Sequence, residues 1–353
     1  MIWAGHHRRT PIGIDIGRRY VKAAQLSRSR SGWRVEAAAS YPRPVPQKDF
    51  DAEDARLLRG VLDRRGFTGE RVVLAVPKEA LLTGILELPP RSAGAPLDQL
   101  ARMELARMHR CRPDALEVTY WDLPAPNRGN APARVMASGC THQSAEGLMD
   151  CLENEGLDVQ ALDVQACALA RACRPLFAGE KDITCLLDIG WQSSWLALIH
   201  MGTVVYQRPF GETGIQPLFE ALNGQLELDG ELIDALLCEV GVGRNGNEVQ
   251  DDSEAFDDLR GMVESHLESI LKELRLSFSY AIHQYPGASV AQLVLVGGGA
   301  LLQGIQGHLS SALEVQVQTV APTDVAECPP PLLETCGSPA MTMAVGLAQF
   351  AHD

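Results

Sequence analysis

The sequence predicts an α/β protein built from two related halves, with a small subdomain inserted in the first half. Two observations indicate the duplication. The tripeptide Asp-Ile-Gly occurs at residues 15–17 and again at 188–190, about half the chain length apart. Each copy ends an apolar strand pattern and precedes two more strand patterns. A third observation is a strand that ends in Gly297-Gly298-Gly299 and leads into a helix. A repeat this long predicts two facing domains, because solenoid repeats have periods of roughly 20–50 residues.

Length and composition suit a globular protein with a sizeable core. The chain has 353 residues, of which 46% are hydrophobic and 22% charged, and at roughly 100–200 residues per domain it has room for two or three domains. The net charge of −14 excludes electrostatic binding of nucleic acid as a default. The nine cysteines include no CxxC pair and are expected to be reduced thiols.

From the sequence we expect neither a membrane-spanning helix nor an export signal. No apolar run approaches the roughly 18–20 residues that a bilayer-spanning helix needs, and the first ten residues carry His and Arg where a signal peptide needs an apolar stretch. We therefore expect a cytoplasmic protein that is not integral to a membrane.

The first half opens with a predicted antiparallel meander. Three patterns of alternating polarity indicate its strands: Pro11–Gly17, Tyr20–Leu26 and Trp33–Tyr41. A helical pattern at about residues 51–65 and a buried strand at 71–77 follow. The order is thus strand, strand, strand, helix, strand.

A segment rich in proline and charge interrupts the first half. We place an inserted subdomain here, at about residues 81–132. Its strongest element is a helix over Pro96–Arg110, whose apolar residues fall on one face. Met103 lies off that stripe, so it is the residue expected to be exposed and to contact a partner.

The strand order of the first half returns after residue 178. Its three strand patterns are Asp182–Gly190, Ser194–His200 and Val204–Pro209. We assign residues 1–178 to the first domain, residues 179–339 to the second, and residues 340–353 to a C-terminal helix that returns to the first domain.

The two Asp-Ile-Gly turns are candidate phosphate-binding sites. Glycine lets backbone N–H groups approach an anion, and an aspartate can hold a divalent ion through water. This makes Gly17 and Gly190 candidate phosphate contacts, and Asp15 and Asp188 candidate ligands of phosphate and metal. Each turn alone is also explained as a hairpin capped by aspartate. Two copies at corresponding places favour turns that close on a triphosphate from opposite sides.

The triple glycine supplies a third candidate element. It ends the apolar strand in residues 292–305 (QLVLVGGGALLQGI) and opens a helix. Bare backbone at Gly297, Gly298 and Gly299 can pack flat against an adenine or a ribose, and a helix N-terminus favours anions. Taken alone, the segment is explained equally well as a tight turn.

With these residues the chain resembles the actin-like ATPase superfamily, which includes actin, the sugar kinases and FtsA. The Asp-Ile-Gly turns look like its two phosphate motifs, and residues 294–305 look like its adenosine motif. Within the superfamily the chain is most similar to the PilM family of type IV pilus assembly proteins. That likeness covers most of the chain, from GIDIGRRYVKAAQLSRS to PAMTMAVGLAQF. The insertion falls where PilM and FtsA carry their subdomain 1C.

The resemblance implies ATP with Mg²⁺ as the ligand of the cleft, and it adds further site residues. Lys22 matches the lysine that ends the first motif of the superfamily, although strand lysines are often only exposed. Ser193 and Ser194 follow the second turn and can donate to phosphate or simply begin a strand. The remaining additions are Gly211, where relatives have Gly-Gly, and Glu273, on the helix that contacts ribose.

Three departures from the superfamily pattern predict weaker nucleotide binding. Arg18 and Arg19 follow the first turn, where relatives have small or hydroxyl residues; they either clamp phosphate or obstruct the loop. Glu212 follows Gly211 and would bring a negative charge towards the phosphates. The helix around residues 233–238 lacks the lysine that relatives offer to the nucleotide.

The resemblance implies a cytoplasmic scaffold for a type IV pilus or a related secretion system. In the family, the cytoplasmic N-terminal tail of a PilN-type inner-membrane protein lies in a groove between subdomains 1A and 1C, and other platform proteins are expected partners. The resemblance thus implies that the protein reaches the inner membrane only through its partners. One alternative is an active ATPase or kinase of the same superfamily. We found no carboxylate placed as a general base beyond Asp15, so we expect little turnover and assign no catalytic residue. A second alternative is the cytoplasmic part of a GspL-type secretion protein.

Overall fold

The structure, a computed structural model, describes residues 9–350 apart from 30, 31, 47, 125–131, 178, 180, 240, 241 and 243–253. Within this part of the chain the strands are β1 (Ile12–Ile16), β2 (Tyr20–Ser29), β3 (Gly32–Pro42), β4 (Arg71–Ala75), β5 (Leu82–Leu88), β6 (Leu116–Asp122), β7 (Ala133–Thr141), β8 (Asp158–Asp163), β9 (Ile183–Ile189), β10 (Ser194–His200), β11 (Thr203–Phe210), β12 (Val290–Val296) and β13 (Gln316–Thr319). The helices are α1 (Ala52–Arg64), α2 (Leu97–His109), α3 (His142–Glu153), α4 (Gln165–Cys173), α5 (Ile215–Leu226), α6 (Gly230–Glu239), α7 (Glu254–Gln284), α8 (Ile305–Leu313), α9 (Pro322–Val325), α10 (Leu333–Cys336) and α11 (Thr342–Ala348). None of these helices is both long and apolar enough to cross a bilayer.

Two five-stranded sheets share one strand order. The first is β3-β2-β1-β4-β8 and the second is β11-β10-β9-β12-β13. In each sheet the first three strands form an antiparallel meander. The next strand runs parallel to the central strand, and the last runs parallel to that one. The predicted fold class, a duplicated α/β fold, is therefore confirmed.

Helices α4 and α11 lie between the two sheets. Both contribute to one core cluster that also contains Leu26 and Val73 from the first sheet and Leu186 and Val294 from the second. The alternate residues of β9, such as Leu187, point to the other face and pack with α7. Because helices cover both faces of the second sheet, β9 reads as a nearly continuous apolar run.

Close backbone contacts fix the C-terminal helix α11 against the first half. A Cβ atom built on Gly13 in β1 would overlap the backbone of α11 at Ala344 and Ala348. A Cβ atom on Gly346 in α11 would overlap the Ala168 carbonyl in α4. Glycine at these two positions therefore lets α11 lie directly on β1 and α4.

The inserted segment forms a third, antiparallel sheet in the order β5-β7-β6. Helix α2 covers it, with Ala101 and Leu105 fully buried against its strands. The central strand β7 begins at Ala133, so the sheet extends beyond the predicted range of 81–132. The charged, proline-rich composition indicated only part of the insertion. Strand β7 is apolar, so its sequence resembles that of a strand in the main domain. Residues 125–131 of the predicted range lie outside the described part.

Candidate functional site

A cavity of about 810 Å³ lies between the two halves. Its walls are formed at the carboxyl ends of β1, β4, β9 and β12, together with the first residue of α4 and part of α6. Open α/β sheets bind their ligands at the carboxyl ends of their strands. The duplicated sheets therefore bring two such ends to one cavity.

The two Asp-Ile-Gly hairpins have equivalent geometry. The Gly17 N–H donates to the Tyr20 carbonyl at 3.0 Å, and the Gly190 N–H donates to the Ser193 carbonyl at 3.2 Å. In both turns a Cβ atom on the glycine would lie 2.8 Å from that same carbonyl oxygen. Both hairpins line the cavity, so the structure brings the two predicted turns together across the cleft.

Each hairpin aspartate is paired with a lysine. Lys22 Nζ lies 2.6 Å from Asp15 Oδ2 within the first hairpin. Asp188 Oδ2 lies 3.6 Å from Nζ of Lys78, which follows β4 in the other half of the molecule. Both carboxylates are largely buried, with 17% and 14% of their side chains exposed. The cleft thus presents two aspartate–lysine pairs, one for each hairpin.

The triple glycine packs tightly against the second hairpin. Gly297 has a φ of +86°, a conformation that favours glycine, and a Cβ atom there would overlap Asp188 Oδ1. A Cβ atom on Gly299 would overlap the Ile189 side chain. Gly298 differs, because a Cβ atom there would meet no atom within 4 Å. It is the residue of this segment that faces open space in the cavity.

Arg18 and Arg19 are both bound by carboxylates at the cavity wall. Arg18 donates to Asp49 at 3.1 Å and to Glu79 at 2.6 Å. Although burial acts against it, this hydrogen bond from Arg18 lowers the pKa of Glu79 below its ordinary value. Arg18 therefore neither lies free over the first turn nor offers an unpaired charge to a ligand.

Arg19 joins the two halves. It donates two hydrogen bonds to Asp234 in α6, at 3.0 and 2.7 Å, and the hydrogen bond to Asp234 raises the pKa of the Arg19 guanidinium. The guanidinium carbon lies 4.4 Å from the centre of the Trp191 ring. The side chain of Arg19 thus closes one edge of the cleft by a charged pair and a cation–π contact.

We expect Arg19→Ala to lower the free energy of unfolding by about 1–2 kcal/mol. Charged hydrogen bonds contribute roughly 1.5–3 kcal/mol, and the partial exposure of both side chains reduces that value. Urea denaturation measures the change, and Asp234→Asn, which removes the same pair from the other side, should give a similar loss. Unchanged stability in both variants would show that the pair does not hold the halves together.

Two buried polar atoms in the cavity wall have no hydrogen-bond partner. They are Oε1 of Gln165 at the start of α4 and Nε1 of Trp191 after the second hairpin. Gln165 is only 6% exposed, and buried polar atoms are normally hydrogen-bonded. The protein thus leaves one acceptor and one donor beside the cavity without a partner. The glycine segments and the cavity volume fit a nucleotide.

The same cavity does not fit a divalent cation well. Asp15 and Asp188 are the predicted metal ligands, but a lysine ammonium stands beside each carboxylate. No cluster of three or more His, Cys, Asp or Glu side chains suited to a metal occurs in the part of the chain that the structure describes. Each predicted metal ligand is thus already paired with a cation, which opposes a Mg²⁺ ion held directly by these aspartates.

Comparison with known proteins places the chain in a family. The sequence profile described as "Type IV pilus assembly protein PilM" matches residues 13–350. The chain belongs to the PilM family. Both hairpins, the insertion, the triple glycine and α11 lie within the matched range.

Three solved structures have a similar fold. The "PilM-PilN type IV pilus biogenesis complex" is 21% identical, with a TM-score of 0.78 over 96% of this chain and 97% of that chain. EutJ from Carboxydothermus hydrogenoformans is 15% identical, with a TM-score of 0.55 over 98% and 90%. MreB5 of Spiroplasma citri bound to ADP is 12% identical, with a TM-score of 0.53 over 97% and 95%. The predicted actin-like fold is confirmed.

Most of the site residues predicted from the sequence line the cavity. These are Asp15, Gly17, Lys22, Asp188, Gly190, Ser193, Gly297, Gly298 and Gly299. The sequence did not single out Lys78, Gln165 or Asp234. Lys78 could have been found from its position directly after the buried strand at residues 71–77, at the carboxyl end where the cavity lies.

Three expected site residues lie outside the cavity. Ser194 is fully buried in β10, where its hydroxyl donates to the Thr213 carbonyl at 2.8 Å. Gly211 is exposed beyond the end of β11, and neither it nor Glu212 lines the cavity. The Glu273 carboxylate accepts a hydrogen bond from Arg208 at 2.5 Å, and Glu273 does not line the cavity either. We therefore remove these residues from the candidate site, and Glu212 brings no charge to it.

Proposed function

We propose that this PilM-family protein is a cytoplasmic component of type IV pilus assembly that binds ATP between its two halves and a membrane-protein tail on its inserted subdomain. The proposal for ATP depends on one observation: two equivalent glycine hairpins and a triple-glycine segment meet at one cavity. Backbone N–H groups at such turns suit phosphate oxygens, and bare backbone suits a flat base or sugar.

The residues that would hold the nucleotide follow from their positions in the wall. The hairpins around Gly17 and Gly190 face each other and would take the phosphates. Residues 297–299 would take the adenosine. Nucleotide-bound MreB5, which has the same fold, supports this choice of ligand class.

ATP should raise the thermal midpoint of the protein. A ligand specific for the native state stabilises it by about 2.7 kcal/mol at one hundred times its dissociation constant. Scanning the protein with millimolar ATP, in buffers with and without Mg²⁺, tests the proposal. An unchanged midpoint in both buffers would overturn it.

An active ATPase or kinase remains the competing function. Such an enzyme would release phosphate or phosphorylated product at a rate of turnovers per second. We propose little turnover, because both hairpin aspartates are paired with lysines and both arginines of the first turn are paired with carboxylates. A steady-state assay of phosphate release distinguishes the two functions.

We propose that the tail of a PilN-type inner-membrane protein binds the inserted subdomain. Other platform proteins of the pilus are further proposed partners. The similarity to the solved PilM–PilN complex supports the PilN-type partner. It also favours a pilus assembly protein over the alternative of a GspL-type secretion component. An extended tail can bind in a groove or at a sheet edge. On α2, Met103 and Met108 are 56% and 48% exposed, and methionine offers the adaptable apolar surface that peptide ligands use.

Met103→Glu should weaken binding of the tail at least tenfold, which is about 1.4 kcal/mol. A charge at this exposed position opposes burial of apolar tail residues but leaves the core of the insertion untouched. Fluorescence anisotropy with a labelled peptide of the N-terminal tail of a PilN-type protein gives the affinity. Met201→Glu is the matched control, since Met201 is 58% exposed in the other half. Equal affinity in parent and Met103→Glu would place the tail elsewhere.

A further inference from the structure

We propose that the ammonium groups of Lys22 and Lys78 replace a divalent cation in this cleft, so that it binds the triphosphate of ATP without Mg²⁺. Lys78, from the first half, would then bind phosphate at the hairpin of the second half. The inference rests on the proposed function, namely that the cleft binds ATP.

A difference between the two hairpins motivates the assignment of Lys78. In the first half, the residue opposite Asp15 on the neighbouring strand is Lys22. In the second half, the residue opposite Asp188 is Trp195, which is 3% exposed and belongs to the core. The second hairpin therefore lacks a lysine of its own. Lys78 fills the equivalent place from across the cleft.

Both ammonium groups stand where an anion would approach. Lys22 Nζ lies 3.1 Å from the position of a Cβ atom on Gly17, and Lys78 Nζ lies 3.3 Å from that position on Gly190. Each hairpin thus combines a glycine turn with an ammonium group beside it. A lysine ammonium has three N–H donors and recognises phosphate as a point charge.

The ammonium groups beside Asp15 and Asp188 oppose the binding of a magnesium ion in this cleft. Mg²⁺ is usually held by one or two carboxylates, waters and phosphate oxygens. Both candidate carboxylates already have a cation at 2.6 Å and 3.6 Å, and a divalent ion beside them would be repelled by both ammonium groups. Two ammonium groups carry the same total charge as one Mg²⁺. They can neutralise phosphate in its place where they exchange their carboxylate partners for phosphate oxygens.

The arginines of the cleft are held by two carboxylate contacts each, whereas each lysine has one. Arg18 is shared by Asp49 and Glu79, and Arg19 is held by both carboxylate oxygens of Asp234. Lys78 has the longer of the two lysine pairs and the more exposed side chain, 27% against 13% for Lys22. Lys78 is therefore the cation that most readily exchanges its carboxylate for a phosphate oxygen.

Calorimetric titration of ATP into the full chain, once with EDTA and once with Mg²⁺, tests the inference. We expect the two dissociation constants of the parent to agree within about threefold, whereas Lys78→Met should weaken binding in EDTA at least tenfold. Lys272→Met is the matched control, because Lys272 lies on α7 away from the cleft, and its affinity should equal that of the parent. Asp188→Asn should bind ATP in EDTA as tightly as the parent or more tightly, since it releases Lys78.

The opposite results identify which claim fails. Binding that is at least tenfold tighter with Mg²⁺, and that Asp188→Asn abolishes, would overturn the inference and leave the ATP site in place. Unchanged affinity of Lys78→Met in EDTA would also overturn it. No binding in either buffer would overturn the proposed function, and with it the inference.

Discussion

Gly298→Val should abolish ATP binding and leave the fold intact. A Cβ atom at Gly298 meets no protein atom within 4 Å, and the residue lines the cavity. The branched side chain would therefore extend into the space proposed for the adenosine rather than into the protein. We expect affinity to fall at least one hundredfold, about 2.7 kcal/mol, in calorimetry, with a thermal midpoint close to that of the parent.

Gly211→Val is the matched control for this variant. Gly211 also has open space around its Cβ position, but it lies outside the cavity. The same change in side chain should therefore leave ATP binding unaffected. If Gly298→Val bound ATP as tightly as Gly211→Val, the adenosine would not lie on the triple glycine.

Gly346→Ala should cause the largest loss of stability among the variants considered. The added Cβ atom would overlap the Ala168 carbonyl, and both atoms belong to packed helices, so no side-chain rotation can relieve the overlap. Helices α4 and α11 would have to separate within the core that joins the two sheets. We expect the free energy of unfolding to fall by about 3 kcal/mol, measured by urea denaturation.

Gly307→Ala provides a control of opposite sign. Gly307 lies in α8, and a Cβ atom there meets nothing within 4 Å. Alanine should stabilise this helix by up to about 1 kcal/mol, because glycine is a poor helix former. If Gly346→Ala were neutral or stabilising as well, α11 would not pack on α4 as described.

The duplicated fold could be predicted because its signals are local. The strand patterns of β1, β2 and β3 break at glycine or at the hairpin, and those of β9, β10 and β11 repeat the same order. Each predicted strand lies within a few residues of the observed one. The extent of the insertion was harder to predict, because β7 has the apolar composition of a core strand.

The glycine parts of the site could be predicted, whereas its charged pairs could not. A glycine turn shows in the sequence because the residue itself is required at that point of the backbone. Arg19 and Asp234 are separated by 215 residues, and Lys78 reaches Asp188 from the other half. Such pairs exist only after the two halves have been packed together.

Some residues that were assigned only by their match to the superfamily pattern do not lie at the site. Ser194 and Glu273 were assigned from the superfamily pattern alone, and both are used by neighbouring groups of the protein. Arg18 and Arg19 were expected either to clamp phosphate or to obstruct the loop. Their carboxylate partners give them a third role, which is to hold the wall of the cleft.

A crystal structure of the full chain grown with ATP is the most direct test of the account. We predict that the triphosphate lies between the hairpins at Gly17 and Gly190, beside the ammonium group of Lys78, and that the adenosine lies against residues 297–299. Nucleotide bound at any other surface, with the lysine–aspartate and arginine–carboxylate pairs of the cleft unchanged, would contradict the account.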